Sequence, residues 1–567
     1  MQPTVEPAWK DVTLITALVA LVTVPALFTR DLWDPDEPRY MEVAREMVVR
    51  GEYVIPQLNG EVYSEKPPLF FWLAGLLWRA GLGTNAGRIV TLLAVWGTLL
   101  LIYFVCRAAL GSRTALLATA MAFTSLLLLK FAEIGVLDPL LTLLVSVAVV
   151  LGWNALHRKV GPPALSWAGC YAAMGLGTLT KGPVGFLVPA LILVAYGLAN
   201  RKAVRAGGWT HLAGFALFAA IVGSWLVPAV LKGGPGYART ILVTQNVGRA
   251  VQSYSHRNPF HYYLVRWPAY FFPWSPLLPL AVWAAFCRRR PGQDVVLLGA
   301  LWLVVPFVFF SLISGKRMNY VVPTTPAAGI LLGWYLTGGL ERGTKLMRAE
   351  QWLWRLSYGL TGLLAAGLMA AVVLLPAFVA REYPEGGLSG QVAAVLTPAH
   401  QAAAVAVLGV PLGLCLWQLG EANADNVRRA VVLIAAVVAL SVAVELLVEP
   451  AANTVKSGRD FGRAVVERAG PQSPVFLHGD ELSGVYNLWT GRVHMPVLKS
   501  EEEMRTALSA PGTFVIGDLK RFKDLLTPDE LDRYTAYREQ IGHRAMLLLQ
   551  GRAPARQGRT AQGHGGF

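Results

Sequence analysis

The chain has 567 residues, 54% of them hydrophobic and 15% charged, with a mean hydropathy of +0.46 and a formal net charge of +15. A soluble domain is excluded, because such proteins carry charge at nearer ~25% of positions and these apolar residues come in blocks of the ~20 that cross a bilayer core. The basic balance does not indicate a nucleic-acid partner: the cations form short clusters between apolar blocks, a pattern of membrane orientation rather than a phosphate-backbone footprint.

The first apolar block, Val12 to Phe28, follows Lys10 and lacks a small-residue cleavage site, so it reads as a retained signal anchor. Directly behind it comes Asp31 to Pro68, which holds six Glu and three Asp together with Arg39, Arg45, Arg50 and Lys66. Charge kept this close to hydrocarbon is costly and is usually retained for ion, proton or substrate handling. Leu69 to Leu82 is apolar but short, contains Arg79 and starts with aromatics. It reads as a helix lying in the membrane interface, with a short true span as the alternative.

Basic clusters follow at Arg107/Arg113, Arg158/Lys159, Arg201/Lys202/Arg205, Arg288 to Arg290, Arg342 to Arg355 and Arg428/Arg429, with two apolar blocks between each consecutive pair. Placing every cluster in the cytoplasm satisfies the positive-inside rule throughout. Thirteen spans result, at approximately 12–29, 88–106, 114–130, 137–156, 164–180, 183–199, 209–231, 262–286, 295–314, 320–338, 356–379, 400–419 and 430–448. The N-terminus is then cytoplasmic, and the acids, histidines and glycine-proline turns collect on the periplasmic or outer face. Cys106, Cys170, Cys287 and Cys415 lie in or beside apolar blocks without metal-type spacing, which sets aside disulfides and thiolate metal sites.

After about residue 450 the pattern changes. SPVFLHGD (473–480) and GTFVIGDL (512–519) read as buried strands, and 457–469, 500–508 and 528–540 read as helices. The expected fold class is an all-α polytopic membrane protein of about 13 transmembrane helices with a small C-terminal α/β extramembrane domain. The domains are 1–450, with 31–82 as a periplasmic catalytic loop, and 451–552; the tail 553–567 is expected to be disordered.

Within this frame several residues can carry chemistry. Asp36, in DPDEPRY, is a carboxylate near low dielectric and suits a base that takes a proton from a hydroxyl; the alternative is that Asp34, Asp36 or Glu37 caps the following helix. Asp138, in GVLDPLL, is an ordinary N-cap candidate that faces the same side as Asp36. Lys66, in SEKPP, either snorkels to lipid headgroups or binds the phosphate of a lipid-linked substrate. Lys181, Arg257, Lys316 and Arg317 stand at outer helix ends against the positive-inside trend, which an anionic polyprenyl phosphate would explain. His256 and His261 with Glu65 read either as interfacial polar residues or as a divalent-metal site.

At these residues the chain resembles the GT-C superfamily of polyprenyl-phosphate-dependent glycosyltransferases. Within it, the resemblance is to the bacterial protein O-mannosyltransferase-like branch that includes the 4-amino-4-deoxy-L-arabinose lipid A transferases. It rests on PDEPRYMEVAREMVVRGEYVIPQLNG (35–60) with YSEKPPLFFW (63–72), VLDPLLT (136–142) and LGTLTKGPVGFLVPAL (176–191), and continues through SHRNPFHYYLVRWPAYFFPW (255–274) and SGKRMNYVVPTTP (314–326).

The resemblance implies inverting transfer of a sugar from an undecaprenyl-phosphate donor to lipid A, another glycan or protein on the periplasmic side of the bacterial inner membrane. By position it makes Asp36 the catalytic aspartate and Asp138 the second acidic site, with Lys66, Tyr320 and Arg257 at the donor phosphate. Glu37, Arg39, Tyr40, Lys181 and Lys316 take supporting places, and Glu65 and His256 match positions where some relatives hold a metal. GKRMNY departs from the lysine-rich stretch expected before the tyrosine, which leaves donor and acceptor identity open. A transporter is the rival class, disfavoured because the charges gather at one surface and no internal repeat is found.

Overall fold

The computed structural model describes residues 7–157, 161–200, 208–241, 258–288, 293–338, 344–382, 395–421, 424–542 and 544–552. The expected sites Arg257 and His256 and the tail 553–567 lie outside the described residues.

All thirteen expected spans are helical or largely so among the described residues. Among the described residues, eight helices are long and apolar enough to cross a membrane, or nine if one bent pair counts as a single span. That pair, Ser112–Phe123 and Leu126–Ala132, turns by 70°. The turn is held by Ser125, whose hydroxyl caps the second helix at Leu128, and by Leu126 N–H on the Phe272 carbonyl at 3.0 Å. The expected span 262–286 is broken into Tyr262–Tyr270 and Leu278–Cys287. Proline accounts for the break, because Pro273 and Pro276 in the connection have no amide hydrogen for a continuous ladder. Likewise 320–338 begins as a 3-10 turn, Met318–Thr324, and leaves only Thr325–Leu336 as α-helix. Residues 69–82 form a short separate helix, Leu69–Leu77, with a following turn broken at Gly81 (φ 89°) before the long helix Ala86–Leu110.

Small residues let these helices approach closely. A Cβ on Gly185 would lie 2.1 Å from the Gly177 carbonyl carbon, so helices Pro163–Lys181 and Val184–Ala199 touch backbone to backbone. This contact fixes the turn that carries Lys181.

The charged segment behind the first helix, Ala8–Thr29, folds into the amphipathic helix Asp36–Arg50 and a hairpin of β1 (Gln57–Leu58) and β2 (Glu61–Val62). The C-terminal region contributes a four-stranded sheet in the order β3 (Val475–His478), β4 (Phe514–Asp518), β6 (Arg544–Gln550), β5 (Thr535–Ile541). β3 and β4 are parallel and the other pairs antiparallel. Helices Arg459–Ala469 and Glu501–Ser509 match expectation, whereas the helix expected over 528–540 stops at Tyr534 and the chain continues as β5. β6 was not anticipated either: RAMLLLQ is rich in helix formers, and pairing on both sides overrides that propensity.

The hairpin and the C-terminal region lock together through Asn59 at the hairpin tip. Its side-chain oxygen accepts from Met495 N–H at 2.7 Å and from Asn487 Nδ2 at 2.8 Å, while its Nδ2 donates to the Met495 carbonyl at 2.8 Å. Arg39 packs against Gly484, where the positive φ of 86° and a Cβ within 3.3 Å of the arginine side chain both favour glycine.

Candidate active site

A cavity of about 340 Å³ opens where the segment before helix Asp36–Arg50 meets the start of helix Leu137–His157 and the 317–319 turn. Asp34, Asp36, Tyr40 and Asp138 line it, with Arg30, Lys130 and Arg317 supplying cations. The two aspartates separated by about a hundred residues therefore share one cavity.

The acidic residues of DPDE have different fates. Glu37 turns inward and is buried. It meets Arg88 Nε at 3.0 Å, Arg30 Nη2 at 3.1 Å and the Gly135 N–H at 2.9 Å. Burial opposes the Glu37 charge, but the two guanidinium groups and the amide prevail and hold its carboxyl below the ordinary range. Asp36 is half-buried, and its carboxylate has no hydrogen bond or ion pair among the described residues. Nor does it cap the helix: the N-cap is Pro35, and no side chain bonds to the first turn. Of the two readings open for Asp36, the capping one fails. Asp34 also lines the cavity, and its carboxyl is pushed up to about 6 by burial against the opposing pull of Arg544 and Arg39. The residue is open on its outer side, so that shift is a local crowding effect and carries little stability.

Asp138 is buried and tied down. Lys181 forms an ion pair with it, and Asn319 Nδ2 donates to its other oxygen at 3.1 Å. Lys181 also stands over the Tyr320 ring, 4.9 Å from its centre, and Tyr320 packs on Phe310. The outer lysine is thus partnered by a carboxylate of the chain itself, contrary to the expectation that an external anion accounts for it. Asn319 has a second feature: its Oδ1 is buried and accepts no hydrogen bond, leaving an acceptor free at the cavity wall.

Tyr40 is buried against Phe70 and Phe71, with ring centres 6.3 and 6.0 Å away. Its phenol is driven well above the ordinary value by burial first, then by the negative field of Tyr63, Asp36, Asp138 and Glu65. It is therefore a proton-bearing hydrogen-bond donor, not a base.

The remaining expected residues stand apart. Lys66 does not line the cavity; its ammonium lies 3.3 Å from the Glu65 carbonyl and 4.0 Å from the Glu65 carboxylate. Lys316 is buried and donates to the carbonyls of Asn258 (2.9 Å) and Ile313, so it braces two segments and does not face an external anion. Arg39 faces the C-terminal domain, as described above. Among the described residues no three His, Cys, Asp or Glu side chains gather as a metal site.

Sequence reading missed Arg30, Lys130 and Asn319. The signal for Lys130 was available: it is the one charge in LLLLKFA, and a lone cation inside an apolar run is a functional candidate.

Comparison with known proteins fits this geometry. Residues 65–227 match the family described as dolichyl-phosphate-mannose-protein mannosyltransferase. An undecaprenyl phosphate-alpha-4-amino-4-deoxy-L-arabinose arabinosyl transferase of Edwardsiella ictaluri is 31% identical over 382 residues, 65% of each chain. The enzyme of the same description from Pseudomonas aeruginosa is 31% identical over 362 residues, 62% of this chain and 64% of that one. These matches span just under two thirds of the relatives' length. The crystal structure of ArnT from Cupriavidus metallidurans bound to undecaprenyl phosphate superposes with a TM-score of 0.74 at 22% identity, covering 96% of this chain and 98% of that one. The chain shares the fold of that solved structure. The shared fold includes the small C-terminal domain, because the superposition extends over nearly the whole of both chains.

Proposed function

We propose that this chain is an integral-membrane glycosyltransferase of the bacterial inner membrane. It moves 4-amino-4-deoxy-L-arabinose from an undecaprenyl-phosphate donor to a lipid A-like acceptor, with inversion at the anomeric carbon. The observation that carries this reading is the unpartnered Asp36 carboxylate in the same cavity as Asp138. A free carboxylate at the helix start beside a second one neutralised by lysine suits a one-step displacement. The acceptor oxygen attacks the anomeric carbon, Asp36 takes its proton or orients it, and the lipid phosphate leaves.

The other residues take roles consistent with their contacts. Asp138, fixed by Lys181 and Asn319, orients a sugar hydroxyl or the sugar amine, and the free Asn319 Oδ1 accepts from the same group. Tyr40 donates a hydrogen bond, and Glu37 holds Asp36 in place. Lys66 and Tyr320, with Arg257, serve the donor phosphate. In this reading the N-terminus is cytoplasmic and the domain 451–552 is periplasmic. The match of 65–227 to protein mannosyltransferases favours one second reading, in which a protein hydroxyl is the acceptor.

The test is reconstitution of the full chain in liposomes with undecaprenyl-phosphate-linked aminoarabinose and lipid A. Wild type should form aminoarabinose-modified lipid A, seen by mass spectrometry, and Asp36→Asn should abolish the product while the protein remains abundant and monodisperse. Undiminished transfer by Asp36→Asn removes Asp36 from the mechanism. Transfer to a serine- or threonine-containing peptide and not to lipid A would establish the second reading.

A further inference from the structure

Between the end of the first helix at Thr29 and the start of the next at Asp36 the chain belongs to no helix, and Trp33 pairs with Ser457 in an isolated bridge. A segment with no hydrogen-bond ladder of its own takes its position from the side chains that meet its backbone. This one brings Trp33, Asp34 and Asp36 to the cavity wall, so whatever holds it also places Asp36.

One side chain meets the segment at three points. Asn453 lies in the helix Glu449–Lys456 that leads into the C-terminal domain. Its Oδ1 accepts from the Asp31 N–H and from Trp33 Nε1, both at 3.0 Å. Its Nδ2 donates at 2.8 Å to the Thr29 carbonyl, one of the acceptors left open at the end of the first helix. Glu449 meets Arg30 at 3.3 Å, and Arg459, at the start of the following helix, meets Asp31 at 3.0 Å. The chemistry specifies asparagine at 453. Two donors and one carbonyl converge there, and a primary amide offers an acceptor and a donor together. Aspartate would set an acceptor against the Thr29 carbonyl, and an aliphatic side chain would leave all three groups without this partner.

We infer that Asn453 is a positioning residue for the transfer reaction: from the C-terminal region it seats the Trp33 indole in the cavity wall and holds the segment that presents Asp36. The inference rests on the proposed transferase reading and deepens it, because it gives the C-terminal region a part in the chemistry. Asn453 does not line the cavity, so it acts through Trp33 and Asp31 and not on substrate. Glu37 anchors the far end of the same segment through Arg88 and Arg30, and Asn453 holds its entry.

The experiment compares full-length wild type, Asn453→Ala and Asn59→Ala in liposomes, at a temperature where all three stay folded. Asn59 bonds to the C-terminal domain at Ser483, Asn487 and Met495 and not to 29–33, so its variant reports loosening of that domain alone. Asn453→Ala should lower kcat about 10- to 100-fold, the scale of a misplacement near ~1 Å, and leave donor KM within about threefold. Asn59→Ala should keep kcat within about twofold. Trp33→Phe removes the same Nε1 bond, so its effect on kcat should shrink about threefold in the Asn453→Ala background. Hydrogen exchange of the detergent-solubilised proteins, followed by mass spectrometry, reads the placement without turnover. Peptides covering 29–36 should exchange about tenfold faster in Asn453→Ala and as in wild type in Asn59→Ala.

An unchanged kcat in Asn453→Ala, an equal loss in both variants, a donor KM raised as far as kcat falls, additivity with Trp33→Phe, or unchanged exchange of 29–36 would each overturn the inference. If wild type transfers nothing from the aminoarabinose donor, the transferase reading fails, and the exchange comparison still decides whether Asn453 holds the segment.

Discussion

Replacing Glu37 by glutamine separates the scaffold from the chemistry. The substitution keeps shape and one acceptor oxygen, so the Gly135 N–H, now at 2.9 Å, can remain satisfied. It removes the charge that faces Arg88 and Arg30, and the new amide hydrogens point at guanidinium hydrogens. Breaking one side of a buried ion pair typically costs about 3–5 kcal/mol, because the remaining charge is stranded. Here the stranded group is Arg88, only 2% exposed, whose Nη atoms still donate to the carbonyls of Ala26 at 3.1 Å and Asp31 at 2.7 Å. Those carbonyls partly replace the lost partner, which puts the expected loss near the lower end, about 3 kcal/mol.

Activity should fall as well, because the segment carrying Asp36 is anchored one residue away. Thermal unfolding of the detergent-solubilised chain measures the first effect and transfer at saturating substrates the second. Asp36→Asn is the internal control. Asp36 has no partner to strand, so its unfolding should match wild type within about 0.5 kcal/mol while transfer is lost. A Glu37→Gln protein as stable as wild type would refute the assignment of Glu37 to the scaffold, and so would full activity in the face of a large destabilisation.

Two further outcomes follow from the same contacts. Asp34, with its carboxyl near 6, takes up a proton as pH falls from 7 to 5, which removes one negative charge from the cavity. Affinity for the anionic donor should therefore rise on acidification, lowering its KM by about two- to fivefold, and Asp34→Asn should abolish that slope; an identical slope in the variant assigns it to another group. Asn59→Ala removes four hydrogen bonds to the C-terminal domain, the longest being the 3.4 Å bond to the Ser483 hydroxyl, and places alanine at a φ of 57°. The cost should be about 2–4 kcal/mol, seen as faster proteolytic release of the C-terminal domain, and unchanged proteolysis would show that the hairpin tip is not the lock.

Periodicity and composition carried most of the architecture. Apolar blocks and charge clusters located every long helix, because burial in lipid demands a continuous apolar stretch and leaves little room for ambiguity. They could not show where a helix bends or breaks inside one apolar run, since Pro273 and Ser125 act through backbone geometry rather than hydropathy. The share of the site visible in the sequence followed the same division. Asp36 and Asp138 stood out as acids at helix starts. The partnership of Asp138 with Lys181 and Asn319 did not, because it joins positions far apart in the chain. Lys316 illustrates the converse: an outer-side cation is a fair anion candidate in sequence, yet its ammonium is consumed by backbone carbonyls that only the folded turn presents.

The four residues DPDE show how one short segment supports both structure and chemistry. Successive residues at a helix start point in different directions, so Glu37 reaches inward to Arg88 while Asp36 remains beside the cavity. The prolines on either side lack amide hydrogens and have fixed φ, which denies Asp36 and Glu37 the usual capping geometry and leaves their side chains available for longer-range work. A carboxylate used as a base must not be neutralised by the chain's own cations before substrate arrives. Around this cavity Arg30 and Arg88 are drawn to Glu37, Arg30 also to Glu449, and Lys181 to Asp138, which leaves the Asp36 carboxylate at the helix start without an ion pair. That distribution of ion pairs, more than the presence of an aspartate in a charged loop, is the physical argument for assigning Asp36 the proton.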